Sequence, residues 1–296
     1  MLPNPVYVVY RIANAVARLL PGRAVGPVAR AAGALAARIM RGRAALVARH
    51  QRRVRPDLTP RQVDVAVVAT FVSYASYWVE SFRLPGTPAA RLDAGLVAEG
   101  FDHIRQGIDE GNGVILAMPH LGGWEWAGFW LTAVKQMPVT AVVEAIEPPE
   151  LAAWFTGLRE DLGMEVVPLG PAAGRASVRA LRNNRVLTLL CDRDLGSGGV
   201  EVDFFGERTT LPAGPATLAL RSGAALVPAA VPIEAGVHRG LARPPLDTAR
   251  QGTLRDDVAR LTQELATEFE GLIRRAPEQW HLLQPNWPSD HVFGER

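Results

Sequence analysis

The sequence predicts an α/β fold: a single domain with a central, mostly parallel sheet flanked by helices, plus basic amphipathic helices at its N-terminus. Three observations predict it. From about residue 113 onward, short apolar runs of strand length alternate with helix-length segments. Strands separated by helices imply parallel crossovers and a sheet covered on both faces. Apolar residues make up 48% of the 296, enough for a sizeable core and too many for a disordered chain. The first 61 residues carry twelve arginines against one acid, Asp57, a net charge of +11, whereas the remainder carries −9.

The N-terminal elements come first. Residues 6–55 read as one helix, or as a pair broken at Pro21-Gly22, with arginine recurring every five to eight residues along Ala/Val/Leu-rich sequence. Thr59-Pro60 opens the next helix, threonine as cap and proline in the first turn. It continues through residues 63–82 until Pro85-Gly86 stops it. Residues 113–117 form a strand of buried composition, and Trp124–Ala133 a helix behind it. Strands at Val139–Val143, Glu165–Pro168 and residues 186–191 alternate with helices over 149–162 and 177–183. A strand over 200–205 precedes a proline-rich turn at Pro212 and Pro215 and a further helix. A strand at 226–233, a shorter one at 241–244 and a long amphipathic helix over 253–274 complete the pattern. The expected division is residues 1–60, a basic membrane-associating segment, and residues 61–296, the α/β domain.

Several classes are excluded at this point. One cysteine, Cys191, permits no internal disulfide and no zinc site, so no metal is expected. Placed after an apolar run, Cys191 reads as a small core residue. No uncharged apolar run of about 18 residues exists, so no transmembrane helix is expected, and the arginines interrupt any secretory leader. The basic arm suits helices lying in the membrane interface with arginines towards anionic lipid headgroups. The alternative is an amphipathic helix packed on its own domain. No nucleic-acid module follows, so nucleic acid is not the expected partner. Residues 196–199 read as a mobile loop, since no Gly-Lys-Ser/Thr follows. No Gly-x-Ser-x-Gly elbow is present.

The segment with chemistry is His120-Leu121-Gly122-Gly123-Trp124-Glu125, at the end of the strand over 113–117 and the start of a helix. Ligands of open α/β sheets bind at the carboxyl ends of strands. Gly122 and Gly123 allow close approach of a substrate, and the helix start offers N–H groups for an oxyanion. A neutral imidazole there can take the proton of an attacking alcohol, best with a carboxylate fixing its tautomer. Glu125 is one candidate for that carboxylate. By itself the pair equally describes a turn histidine and a helix-starting glutamate. His50, His103, His238, His281 and His291 lack a glycine-rich strand-end setting.

His120-x4-Glu125 after an apolar strand resembles the His-x4-Asp/Glu signature of glycerolipid and lipid A acyltransferases. Further blocks follow in order. Tyr77-Trp78-Val79-Glu80-Ser81-Phe82-Arg83-Leu84-Pro85 lies upstream. Downstream are Cys191-Asp192-Arg193-Asp194, Val202-Asp203-Phe204-Phe205-Gly206-Glu207, Leu211-Pro212-Ala213-Gly214-Pro215 and Pro277-Glu278-Gln279-Trp280. Together they span about residues 70–287. Within that superfamily they look most like the phosphatidylinositol mannoside acyltransferases of actinobacteria.

The resemblance implies a peripheral enzyme on the cytoplasmic face of the cell inner membrane. It would need no cofactor and use acyl-CoA as co-substrate. It would acylate a mannose hydroxyl of a phosphatidylinositol mannoside directly, without an acyl-enzyme, with His120 as general base. The histidine's partner is expected to be Glu201, just after the Asp-Arg-Asp block, or Glu125, with Glu201 preferred. Arg159 falls where the family has a basic residue near the phosphate-bearing substrate; otherwise it is a solvated helix arginine. Arg193 is a substrate clamp or a structural ion pair. Two rival readings are a lipid A type enzyme using acyl carrier protein and a non-catalytic peripheral membrane protein.

Overall fold

The computed structural model describes residues 4–144, 146–196 and 198–291. The N-terminal arm is three helices: α1 (Pro5–Leu19), α2 (Gly22–Ile39) and α3 (Arg41–Val54). The break expected at Pro21-Gly22 is present, and a second falls at Met40, whose ψ of 56° leaves the helical region. Next comes α4 (Pro60–Arg83), opened by a reciprocal Thr59–Gln62 capping box. The 24 residues of α4 are long and apolar enough to cross a bilayer. Here they pack against α2 and α3, and Tyr77 reaches Glu125.

The remaining elements are α5 (Ala89–Ala94), β1 (Leu96–Glu99), α6 (Phe101–Asp109), β2 (Val114–Met118), α7 (Trp124–Ala133), β3 (Val139–Val143), α8 (Pro149–Glu160), β4 (Glu165–Pro168), α9 (Ala173–Arg182) and β5 (Val186–Leu190). Then follow β6 (Val200–Phe204), β7 (Glu207–Leu211), α10 (Gly214–Ser222), β8 (Ala225–Ala230), β9 (Ile233–Glu234), β10 (Val237–Ala242), α11 (Leu254–Arg275) and α12 (Pro288–His291).

The sheet is α/β and mostly parallel, as expected, in the order β1-β10-β8-β2-β5-β3-β4. The block β8-β2-β5-β3-β4 is parallel throughout, and β10 joins it antiparallel. Every residue of β2 is buried, as a strand covered on both faces requires. One core layer holds Ile115, Leu187, Leu226 and Phe269; the other holds Leu116, Trp124, Phe129 and Val227.

Three strand expectations needed correction. Residues 200–205 do not join the sheet: β6 pairs only with β7, in a separate hairpin. The run 226–233 ends as a strand at Ala230, and of residues 241–244 only the first two are strand, the end of the longer β10. Strand β1 and the helices beside it carried no apolar run long enough to be noticed. The arm is tied into the domain at α3. His50 bridges Leu282 O (3.1 Å) and the Asp290 carboxylate (3.1 Å), and Gln51 donates to Pro277 O (2.7 Å).

Candidate active site

The register of two parallel strands builds the site. Met118 of β2 pairs with Leu190 of β5, and Cys191 N donates to Met118 O at 2.9 Å. The residues two beyond each strand end therefore meet, and these are His120 and Asp192. His120 Nδ1 lies 2.5 Å from Asp192 Oδ1. The carboxylate also accepts from His120 N (3.1 Å) and Trp280 Nε1 (2.7 Å), and it is fully buried. Burial alone would raise its pKa. The nearby His120 charge and the hydrogen bonds from His120 and Trp280 outweigh burial and hold it below the ordinary carboxylate range. An ionised Asp192 accepts from Nδ1–H, which leaves the Nε2 lone pair free on a side chain 27% exposed. That tautomer is the one a general base needs.

Asp192 replaces both expected partners. Glu201 sits on the outward face of β6, 67% exposed, paired with Arg208 at 3.3 Å. Alternation along that strand buries Val202 and Phe204 and turns residue 201 to solvent. Glu125 is buried but faces α4 and α8: its Oε1 accepts from Tyr77 Oη (2.7 Å) and Arg159 (2.9 Å). Its Oε2 and Arg159 Nε are buried without a hydrogen-bond partner. The Tyr77 phenol is pushed well above its usual value, first by burial and then by the Glu125 charge.

The glycines act differently from expectation as well. Gly122 N donates to Gln279 O (3.0 Å) and Gly123 N to Val231 O (2.9 Å), so neither amide is open to an oxyanion. Gly122 has φ +68°, and a Cβ there would overlap the Val231 carbonyl, so the loop needs glycine for its fold. In the first turn of α7, the Trp124 and Glu125 amides have no backbone acceptor among the described residues.

Both candidate clamp arginines are already ion-paired: Arg159 with Glu125, and Arg193 with Glu144 at the end of β3. The Arg159 guanidinium also lies over the Trp124 ring, 5.3 Å from its centroid. In the loop over 196–199, Ser197 lies outside the described residues, while the Gly196 and Gly199 amides each donate to Asp194 at 3.1 Å. Phe204 and Phe205 belong to the core, against Trp280 and Trp287.

Two further residues complete the site. Trp280 forms a bridge with Leu121, and His281 N donates to His120 O (2.8 Å), so the segment after α11 laces onto the His120 loop. His281 Nε2 meets Ser73 Oγ at 2.9 Å, and its ring packs against both Tyr74 and Tyr77. Burial, reinforced by the His120 charge, pushes the His281 pKa down to about 3, so it stays neutral beside His120. The available signal was adjacency to Trp280 in the last sequence block. Beneath the loop lies an apolar cavity of about 50 Å³, walled by Leu116, Met118, Trp124, Leu131 and Val231.

A parallel α/β sheet with a buried acid–histidine pair at its strand ends, beside an apolar cavity, suits proton abstraction from a hydroxyl next to a hydrocarbon chain. The chain belongs to the bacterial lipid A biosynthesis acyltransferase family, whose sequence model matches residues 3–289. It is similar to the phosphatidylinositol mannoside acyltransferase of Mycolicibacterium smegmatis (strain ATCC 700084 / mc(2)155), 42% identical over 230 residues, 77% of this chain and 74% of that protein. It is equally similar to that of Mycobacterium tuberculosis (strain ATCC 25618 / H37Rv), 42% identical over 233 residues, 77% of this chain and 72% of that one.

Proposed function

We propose that this acyltransferase moves a long-chain acyl group from acyl-CoA to a mannose hydroxyl of a phosphatidylinositol mannoside. The observation that carries the mechanism is the His120–Asp192 pair at 2.5 Å, with Nε2 left free. The acceptor hydroxyl gives its proton to His120 Nε2 as its oxygen attacks the thioester carbonyl, and buried Asp192 stabilises the imidazolium that forms. Collapse of the tetrahedral intermediate expels the thiolate, which takes the proton back from His120. No acyl-enzyme is needed, because a thioester is already activated. The apolar cavity beside the loop suits part of the acyl chain, and the printed names of the relatives support the acceptor class.

The reaction is placed at the cytoplasmic face of the inner membrane, with the protein peripheral. Support comes from α1, which exposes Val9, Ile12, Val16 and Leu19 on one face, and from Leu35 and Ile39 of α2. Exposed apolar side chains beside Arg18, Arg23, Arg30 and Arg38, which have no carboxylate partner among the described residues, suit an anionic bilayer surface.

The test presents the pure protein with both donors, acyl-CoA and acyl carrier protein, and both acceptors, a phosphatidylinositol mannoside and a lipid A precursor. Transfer from acyl-CoA to the mannoside is expected. Transfer confined to the lipid A precursor overturns the reading. His120→Ala is expected to abolish transfer with the fold intact; unchanged turnover removes the base.

A further inference from the structure

A second cavity, of about 330 Å³, lies where α1, α2, the end of α4 and α5 meet. Three guanidiniums line it, Arg18, Arg83 and Arg91, with one acid, Glu80, so the lining carries a net +2. Arg83 donates to Ala17 O and to Leu20 O (2.8 Å), closing the end of α1. Those carbonyls orient the guanidinium without cancelling its charge. Arg18 and Arg91 have no carboxylate within ion-pair distance among the described residues. Glu80 is already engaged: His238 Nε2 lies 2.9 Å from its Oε2, and the His238 ring stacks on Trp126 at 4.4 Å. Concave space with a surplus of guanidinium calls for an anion that accepts bidentate hydrogen bonds, and a phosphodiester does so.

The location selects the source of that phosphodiester. Leu19, next to Arg18, is 84% exposed and continues the apolar face of α1. A cation pocket at the edge of such a face lies at headgroup depth when the face sits in acyl chains. We propose that this cavity holds the phosphodiester headgroup of an anionic bilayer lipid that is neither acceptor nor donor. The proposal rests on the membrane reading given above.

The cavity also borders the catalytic loop. Trp126, part of its wall, is in the first turn of α7, and a Cβ on Gly123 would stand 3.2 Å from Glu80 Oε2. A lipid held there fixes the height of the His120 loop above the membrane plane.

The test titrates the full chain with monomeric dihexanoyl phosphatidylglycerol, and in parallel with dihexanoyl phosphatidylcholine, inorganic phosphate and adenosine 3′,5′-bisphosphate. The comparison protein is the Arg18→Gln/Arg91→Gln double variant, with Arg83 left in place to cap α1. Expected is binding of phosphatidylglycerol to the parent that weakens at least tenfold in the variant, with phosphatidylcholine and phosphate far weaker. Equal affinity in parent and variant, no binding to either, or equal binding of the two lipids overturns the proposal. Adenosine 3′,5′-bisphosphate displacing the lipid at lower concentration also overturns it and assigns the cavity to the acyl donor. The membrane reading fails separately: an Ile12→Asp/Leu19→Asp variant, with all three arginines intact, would then still sediment with phosphatidylglycerol vesicles.

Discussion

The strand ends around His120 and the helices α1 and α2 handle polar groups in opposite ways. At the strand ends, both Asp192 oxygens, the Trp280 N–H and the Gly122 and Gly123 amides all have partners within 3.1 Å. Along α1 and α2, Arg18, Arg23, Arg30 and Arg38 have no carboxylate partner among the described residues, and apolar side chains face outward. Chemistry that holds one proton in place needs groups with nowhere else to turn. Contact with a fluid surface works through groups left unsatisfied until the surface arrives. On the proposed reading, the contrast separates turnover, assigned to the first region, from attachment, assigned to the second.

The sharpest break in that comparison is Asp192→Asn. The amide keeps the shape but can donate to Nδ1 and favour the wrong tautomer, so kcat is expected to fall roughly 1,000-fold while vesicle binding is unchanged. Kinetics and vesicle sedimentation on one preparation check both halves. The converse variant, Ile12→Asp/Leu19→Asp, is expected to lose about tenfold or more in vesicle affinity, and raised salt to weaken the parent's binding as exposed charges are screened. Its turnover of a short-chain, water-soluble acceptor should match the parent. Point changes serve better here than removing residues 1–55, because His50 and Gln51 of α3 are bonded into the C-terminal segment.

A smaller effect is expected from Trp280→Phe, which keeps an aromatic ring but deletes the donor to Asp192. A loss of about tenfold in kcat, with KM little changed, and an upward shift of the acid limb of the pH profile would mark a positioning role. A drop in stability with an unaltered pH profile would reduce Trp280 to packing. The smallest effect concerns His281. Its folded pKa, about 3, lies below its ordinary 6.5, so the unfolded chain binds a proton that the folded chain refuses. That contribution is complete above about pH 6.5 and is lost as the pH falls towards 3. His281→Gln should flatten the decline of stability over that window in denaturant titrations.

Much of this was legible in the sequence, for physical reasons. Strands such as β2 and β5 are buried on both faces and announce themselves as continuous apolar runs, and His120 stood out by following one into two glycines. Its partner was not legible, because the pairing depends on Met118 lying opposite Leu190, a register that no local pattern encodes. Glu201 looked suitable by its place after the Asp-Arg-Asp block, yet strand alternation turned it to solvent. The glycines were read as substrate-facing, whereas they admit Val231 and Gln279. Strand β1, at the sheet edge, escaped because only Leu96 is buried, and β10 was misbounded because buried positions alternate with half-buried ones.

The lacing of residues 277–286 onto the His120 loop bears on how the enzyme is made. Trp280 reaches Asp192, His281 reaches His120, and Asn286 reaches the Asp192 carbonyl. While a ribosome still holds that segment in its exit tunnel, the strands can assemble but the acid–base pair lacks its backing. Each molecule thus completes this pair only once residues 277–286 have left the tunnel. A message cut short between the codons for Asp192 and Trp280 yields a protein that keeps the acid and the histidine but not the donor that holds them.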